Sequence, residues 1–272
     1  MTGIRHGEIV NWTGQAMMVP RKRYNELKEW DEASKPGVYF LFGEDDSRGE
    51  PMAYIGESEN VYERLKQHVD KKEFWNEAVL FTNKDENLTK AHAKYLESRL
   101  IGAANEASRY KIENGTAPPL PNLPRGDRDA MDDFFDNLRL LLGALGHKLL
   151  ESVSKVIVDD EGESGTAIII SMKQSGLIAN GQFTDEGVVV LPGSQATNNV
   201  RSSLSDGYNK LRMKLIFTGV LEQKEDYFVF TREYLFSSPS AAGAIVCGQA
   251  CNGRIIWKDD KGRTLKQIEE DA

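Results

Sequence analysis

Cysteine is almost absent: Cys247 and Cys251 are the two in a chain of 272 residues. So small a number excludes a disulfide framework. Two thiols are also too few for a structural zinc site, and no histidine lies at ligand spacing from them. Both are expected to be buried thiols. Long hydrophobic runs are missing, so no stretch is expected to cross a bilayer. Met1 to Gly7 carries Arg5 and His6 but no apolar stretch, so no secretory signal is expected either. A cytoplasmic, soluble chain without a membrane partner is the expectation. Basic excess is lacking too: the net charge is −8 and the pI about 5.2. That opposes non-specific coating of nucleic acid, which needs clustered Lys and Arg, but it leaves room for a locally basic cleft. There is no internal repeat and no low-complexity segment. At 40% hydrophobic residues the chain can bury a sizeable core, in about one or two domains.

What is present is organised around Lys35 to Gly56. Pro36-Gly37 breaks the chain, Val38 to Phe42 is β-branched and aromatic, and Met52 to Gly56 is a second strand-like run. The acidic bend Glu44 to Pro51 joins them into a β-hairpin. Val61, Leu65, His68 and Val69 then recur at helical spacing. Phe74 to Phe81 reads as a helix end and a third strand. Asn87 or Thr89 caps the next helix, whose buried face is Ala91, Tyr95, Leu96, Leu100 and Ile101. Two basic clusters stand out: Arg64, Lys66, His68, Lys71 and Lys72, then Lys90, His92, Lys94 and Arg99. Each is either a solvated helix face or part of a phosphate-binding cleft.

Gly37-Val38-Tyr39 followed by Tyr54-Ile55-Gly56, with Arg64 on the next helix, His68 one turn on and Glu97 on the later helix, resembles the GIY-YIG nucleases. The likeness covers about a third of the chain. It implies an α+β fold with a small three-stranded sheet flanked by helices. It also implies a metal-dependent endonuclease that hydrolyses phosphodiester bonds in DNA with Mg²⁺ or Mn²⁺. The alternative is a non-cleaving nucleic-acid-binding or regulatory module, or a protein-interaction protein, on the same fold.

The rest of the chain frames this unit. Residues 1–34 form a lead-in, with a short strand at Glu8 to Trp12 and a short helix at Asn25 to Trp30. Arg21, Lys22 and Arg23 form a basic run that is either an exposed turn or a phosphate contact. The nuclease-like unit spans 35–124 and ends in the proline-stiffened segment after Asn114. Residues 125–150 read as a connecting helix, capped by Asp127, with one apolar stripe from Phe134 to Leu145. Residues 151–272 read as a second α+β domain. Its strands are expected at Ala167 to Ile170, Leu177 to Gly181, Gly187 to Leu191, Tyr227 to Thr231 and Arg254 to Lys258. Helices are expected at Asn209 to Leu221 and after Pro239. Phe236 to Ala242, Asn252-Gly253, Trp257-Lys258 and Gly262 to Leu265 resemble a domain of unknown function (DUF4357-like) that follows GIY-YIG domains. This resemblance implies no chemistry. The second domain could contact DNA through Lys210, Arg212 and Lys214, or bind a protein partner.

Cutting a phosphodiester needs an activated water, charge stabilisation at phosphorus and help for the leaving oxygen. The resemblance implies Glu97 as the metal ligand; by itself it is an ordinary helix-surface glutamate. Arg64 suits the phosphate through its planar fork. Tyr39 and Tyr54 are either strand aromatics in a core or, by the resemblance, the base (Tyr39) and its partner (Tyr54). A phenol with a pKa of about 10 needs a nearby cation to act as a base at neutral pH. His68 can bond the water, Tyr39 or a phosphate, or be a half-buried structural histidine. The resemblance also implies a closing asparagine, and Asn114 is favoured over Asn105 and Asn122.

Overall fold

The computed structural model describes residues 3–45, 50–115, 118–152, 168–174 and 176–271. The chain divides into two compact units, Met1–Ser152 and Val153–Ala272. The middle of the expected bend at Glu44 to Pro51 and the first residue of the expected strand at Ala167 lie outside the described residues.

In the first unit the strands are β1 (Arg5–Glu8), β2 (Gly14–Pro20), β3 (Gly37–Glu44), β4 (Pro51–Ser58), β5 (Trp75–Asn83) and β6 (Lys111–Ile112). Helices α1 (Val61–Lys71), α2 (Lys90–Ala107) and α3 (Arg125–Ala144) flank them, with 3-10 helices at Arg21–Glu29 and Asp31–Ser34. The expected three-stranded sheet is a six-stranded one, in the order β1-β2-β5-β3-β4-β6. Its pairings are antiparallel except the edge pair β4 with β6. Strand β3 is central, and Gly37 to Phe42 are all buried, because both faces are covered. Val38, Phe40 and Phe42 join a core with α2 and α3. Tyr39 and Leu41 join another with α1 and the 3-10 helices. This side-to-side alternation is the strand period of two.

Three expectations about this unit are corrected. The expected strand Glu8 to Trp12 is β1 ending at Glu8, followed by the longer β2, which pairs with β5 over seven residues. Residues 5–8 and 14–20 are therefore strands of the sheet, not a lead-in to it. The expected short helix begins earlier, at Arg21, and is 3-10. Arg21 is a staple: its guanidinium donates to the carbonyls of Val69, Lys72, Glu73 and Trp75. The helix expected to connect two domains is α3, and it is integral to the first unit. Met131, Phe134, Phe135, Leu138, Leu141 and Leu142 pack into the same core as β2, β3 and α2. Their burial contributes on the order of 10 kcal/mol as an upper bound. Pro124, not Asp127, occupies the cap position.

The second unit contains β7 (Ile168–Gln174), β8 (Leu177–Thr184), β9 (Gly187–Val190), β10 (Gln195–Thr197), β11 (Leu221–Gln223), β12 (Tyr227–Phe230) and β13 (Tyr234–Phe236). Its helices are α4 (Asp206–Phe217), α5 (Pro239–Cys247), α6 (Gly253–Ile256) and α7 (Leu265–Asp271). One sheet has the order β13-β9-β8-β7 and the other β10-β12-β11. The strand expected at Arg254 to Lys258 is instead the short helix α6. The Asn252 side chain caps it by accepting from the Arg254 N–H at 3.1 Å, a role asparagine fills well. The whole is α+β.

Candidate active site

The two tripeptides lie side by side because β3 and β4 pair in antiparallel register, Tyr39 opposite Gly56 and Leu41 opposite Tyr54. Tyr39 and Tyr54 both face α1, with ring centroids 6.2 Å apart. The glycines are steric requirements. A Cβ on Gly56 would collide with the Tyr39 ring and hydroxyl, and one on Gly37 with the Phe81 carbonyl. Tyr39 is fully buried, whereas Tyr54 is half-buried.

Helix α1 starts beside them, capped by the Asn60 side chain, which accepts from the Glu63 N–H. It brings in two functional groups one turn apart. The buried His68 is 6% exposed. Its Nε2 lies 2.7 Å from Tyr39 Oη, and its Nδ1 is buried without a hydrogen-bond partner. Burial, then the charges of Arg64, Lys72 and Lys71, push the imidazole down to about 4, so it is neutral at pH 7. Arg64 is exposed at the mouth of the site. Its guanidinium acts on Tyr39 through charge and donates to Gln67 Oε1 at 3.2 Å. Lys72 Nζ sits 4.2 Å from the centre of the Tyr54 ring and pairs with Glu113 at 2.5 Å.

Tyr39 does not fit the free phenolate base expected of it. Burial, then the neighbouring Tyr54, raises its hydroxyl above the ordinary tyrosine value, and Arg64 offsets this only in part. Arg64 is the cation a phenol needs, but the low-dielectric surroundings win.

Glu97 comes from α2, whose Thr89 caps it in a reciprocal box with His92. It is half-buried, and it is not the isolated carboxylate its sequence context suggests. Glu57, the residue after Gly56 on β4, acts on it through its charge and its backbone. Burial, then the Glu57 charge, pushes Glu97 up to about 7. Glu57 Oε2 is itself buried without a hydrogen-bond partner. Glu57 and Arg64 line one cleft of about 320 Å³ with Ser58, Asn60, Gln67 and Lys90. Sequence reasoning missed Glu57. The available signal was parity: it falls two residues past the core residue Ile55 on the same strand, hence on the α2 face.

Asn114 is brought to the site's edge, but as a clamp. Its Oδ1 accepts from the Ile55 N–H at 2.9 Å and its Nδ2 donates to the Ile55 carbonyl at 2.7 Å. It continues the β4–β6 pairing and so fixes the strand that carries Tyr54 and Glu57. One N–H donor and one acceptor site of the amide are taken up by backbone, which leaves one of each.

A hard divalent cation fits the carboxylate of Glu97, an oxygen donor held half-buried. Among the described residues no group of three or more His, Cys, Asp or Glu could hold a metal. An ion here would keep most of its waters, as Mg²⁺ does and as structural zinc does not.

In the second unit Arg212 is not part of an exposed face with Lys210. Arg212 is 2% exposed, donates to the carbonyls of Ile245 and Thr197 and stacks 5.1 Å from the Phe228 ring centre. Cys247 and Cys251 are free and half-buried. Cys247 Sγ donates to Gln174 Oε1 at 3.1 Å, and interaction with the neighbouring Cys251 thiol, then burial, raises the Cys247 thiol above the ordinary value. No helix among the described residues is long and apolar enough to cross a membrane.

Residues 170–269 match the family described as "Domain of unknown function (DUF4357)". No curated protein and no solved structure matches the chain.

Proposed function

We propose that the first unit is a GIY-YIG type, metal-dependent endonuclease that hydrolyses phosphodiester bonds in DNA. The observation that carries this reading is convergence. Tyr39, Tyr54, Arg64, His68 and Glu97 come from four elements and are linked through Arg64: the Tyr39 hydroxyl lies 2.7 Å from His68 Nε2, Tyr54 and Arg64 act on Tyr39, and Arg64 acts on Glu97 through charge. A core would have no use for that set of groups.

In this reading a DNA phosphate sits against Arg64, whose fork takes two non-bridging oxygens. A water attacks phosphorus, one P–O ester bond breaks, and the products are a phosphate monoester and an alcohol. The water's proton passes to the tyrosine pair as the Tyr39 proton crosses its 2.7 Å hydrogen bond to His68 Nε2. Tyr39 is thus a relay, and neutral His68 is the acceptor. The three cations that depress His68 are offset by the phosphate charge once DNA is bound, which raises its basicity when it is needed. Glu97 would hold the Mg²⁺ or Mn²⁺, which when bound supplies charge stabilisation and a water for the leaving oxygen. Asn114 keeps β4 in place through Ile55.

Supercoiled, linear and single-stranded DNA, incubated with and without Mg²⁺ or Mn²⁺, test the reading. Nicked or linear product that appears only with the cation is expected. Glu97→Gln should remove cleavage while DNA retention in a gel shift persists. A variant that still nicks at the wild-type rate would sink the assignment. The net charge of −8 opposes strong engagement of DNA and leaves a second reading, a non-cleaving nucleic-acid-binding or regulatory module on the same fold. DNA retained by the wild-type protein but intact under every cation condition would select it.

A further inference from the structure

We propose that Lys72 is a positioning residue for Tyr54: with Glu113 it forms a strap across the ring that fixes where the phenol points. The inference rests on the hydrolase reading for the use made of that phenol, and on geometry for the strap itself.

The two tyrosines are not held alike. Tyr39 is fully buried, with its hydroxyl 2.7 Å from His68 Nε2. Tyr54 is half-buried, so of the pair it is the one that water and substrate reach. The Tyr39 and His68 rings lie 6.2 Å and 5.2 Å from it between centroids. Lys72 Nζ lies 4.2 Å from its ring centre, well inside the range over which a cation is attracted to an aromatic face.

The strap is anchored at both ends. Lys72 closes α1: its N–H donates to the His68 carbonyl at 2.9 Å, and its own carbonyl accepts from Arg21 at 2.8 Å. The Glu113 N–H donates at 2.8 Å to the carbonyl of Ala53, the residue before Tyr54. Between these fixed points the ammonium and the carboxylate meet at 2.5 Å, with side chains 19% and 33% exposed. An ordinary surface pair joins two long side chains that are free to wander; here both backbones are tied and an aromatic face lies under the ammonium. The carboxylate also decides what Lys72 does not do. A lysine answered at 2.5 Å is not a free charge for a DNA phosphate, so its removal should change turnover and not grip.

The test uses the full chain. Without DNA, spectra of the ¹³C-lysine-labelled protein should show the Lys72 ε-methylene shifted upfield by the Tyr54 ring current, and the shift should vanish in Tyr54→Leu. With Mg²⁺ and DNA, Lys72→Met should lower kcat by about tenfold or more, the scale of a misplaced reacting group, with KM and the salt dependence of DNA binding unchanged. Lys72→Arg, which keeps a cation over the ring, should recover most of the loss. Glu113→Gln frees the ammonium without touching α1 and should lower kcat in the same direction, which keeps the idea testable if Lys72→Met does not fold. Lys71→Met removes a charge that also acts on His68 and should cost far less. An ordinary ε-methylene shift, wild-type kcat in the folded Lys72→Met and Glu113→Gln variants, or an equal loss in Lys71→Met overturns the proposal. So does a salt slope lowered by about one in Lys72→Met, the mark of a phosphate contact. The two arms separate this idea from the hydrolase reading. The upfield shift in a wild-type protein that cuts no DNA keeps the strap and removes the nuclease. Cleavage that Lys72→Met and Glu113→Gln leave untouched does the reverse.

Discussion

In the second unit the residues that stand out in the sequence meet one another. Trp257 is buried and its Nε1 donates to the Pro239 carbonyl at 3.1 Å. Gly253 lies so close to the Pro239 backbone that a Cβ would collide with it, and its N–H donates to Ser240 Oγ. Buried Arg212 and Asp259 have their charges answered, by two carbonyls and by Arg263. In the first unit the distinctive residues leave valences open. His68 Nδ1 and Glu57 Oε2 are buried and unpaired, Arg64 reaches the surface, and the Glu57 charge acts on a half-buried Glu97. The second unit's motif is therefore explained by packing alone. The first unit's motif is a stability cost that packing does not explain, and titratable groups held in such surroundings mark a working site.

The contrast breaks most visibly at Arg64 and Gly56. Arg64→Ala should lower DNA cleavage by roughly 10²–10³-fold, the scale for removing one transition-state donor. Arg64→Lys should recover little, since a point charge lacks the fork. Gly56→Ala should cost a similar factor by displacing Tyr39 from His68, with the sheet intact by circular dichroism. Near-full activity in the lysine variant would reduce Arg64 to bulk charge. Full activity in the alanine variant would detach the tyrosine from the chemistry.

A buried cation with a purely structural task should behave oppositely. Arg212→Met removes the donor to two carbonyls and should destabilise the second unit by roughly 3 kcal/mol. Hydrogen exchange should speed up in α4 and α5 and stay unchanged in β3 and β4. DNA cleavage by the first unit should not move. A loss of cleavage without a loss of protection would return Arg212 to the nucleic-acid surface that its neighbours Lys210 and Lys214 suggested.

Much of this was legible from spacing. The hairpin, α1 and α2 follow from strand and helix periods, whereas the grouping of Tyr39, Tyr54, Arg64, His68 and Glu97 was implied by the family resemblance alone. The edge of the sheet followed from neither. Strand β2 reads Gly-Gln-Ala-Met-Met-Val-Pro, a run without alternation because both of its faces are covered, and such a run carries no period to detect. Helix α3 showed its stripe but not its partner, since an apolar stripe says that something covers it and not what. Arg212 was misread for the same reason: at helical spacing from Lys210 and Lys214, a buried arginine and an exposed one look identical. Glu57 was hidden because a glutamate at a strand end is ordinarily solvated, and only the approach of α2 makes it otherwise.

The smallest expected effect is the most discriminating, because two groups in the same site pull stability in opposite directions. Glu97 titrates near 4.5 ordinarily and at about 7 in the fold. The folded state therefore binds more protons between those values, and stability falls as pH rises through the window. His68 goes the other way, from 6.5 ordinarily to about 4. The unfolded state binds more protons there, and stability is lost as pH falls from 6.5 towards 4. Each shift is worth roughly 1–3 kcal/mol after allowance for solvent screening. Their windows overlap, so wild type without divalent cations should show a nearly flat dependence between about 4.5 and 6.5. The variants should expose the cancelled slopes. Glu97→Gln should be more stable than wild type near pH 8 and should lose stability steadily on acidification. His68→Gln should instead gain stability as pH falls from 7 to 4.5. Hydrogen exchange at the α1 and α2 amides, in chelator, reads this locally and avoids the separate unfolding of the second unit. Parallel profiles for wild type and both variants would mean that neither group is held away from its ordinary protonation state. The contrast between an expensive site and a satisfied core would then rest on geometry alone.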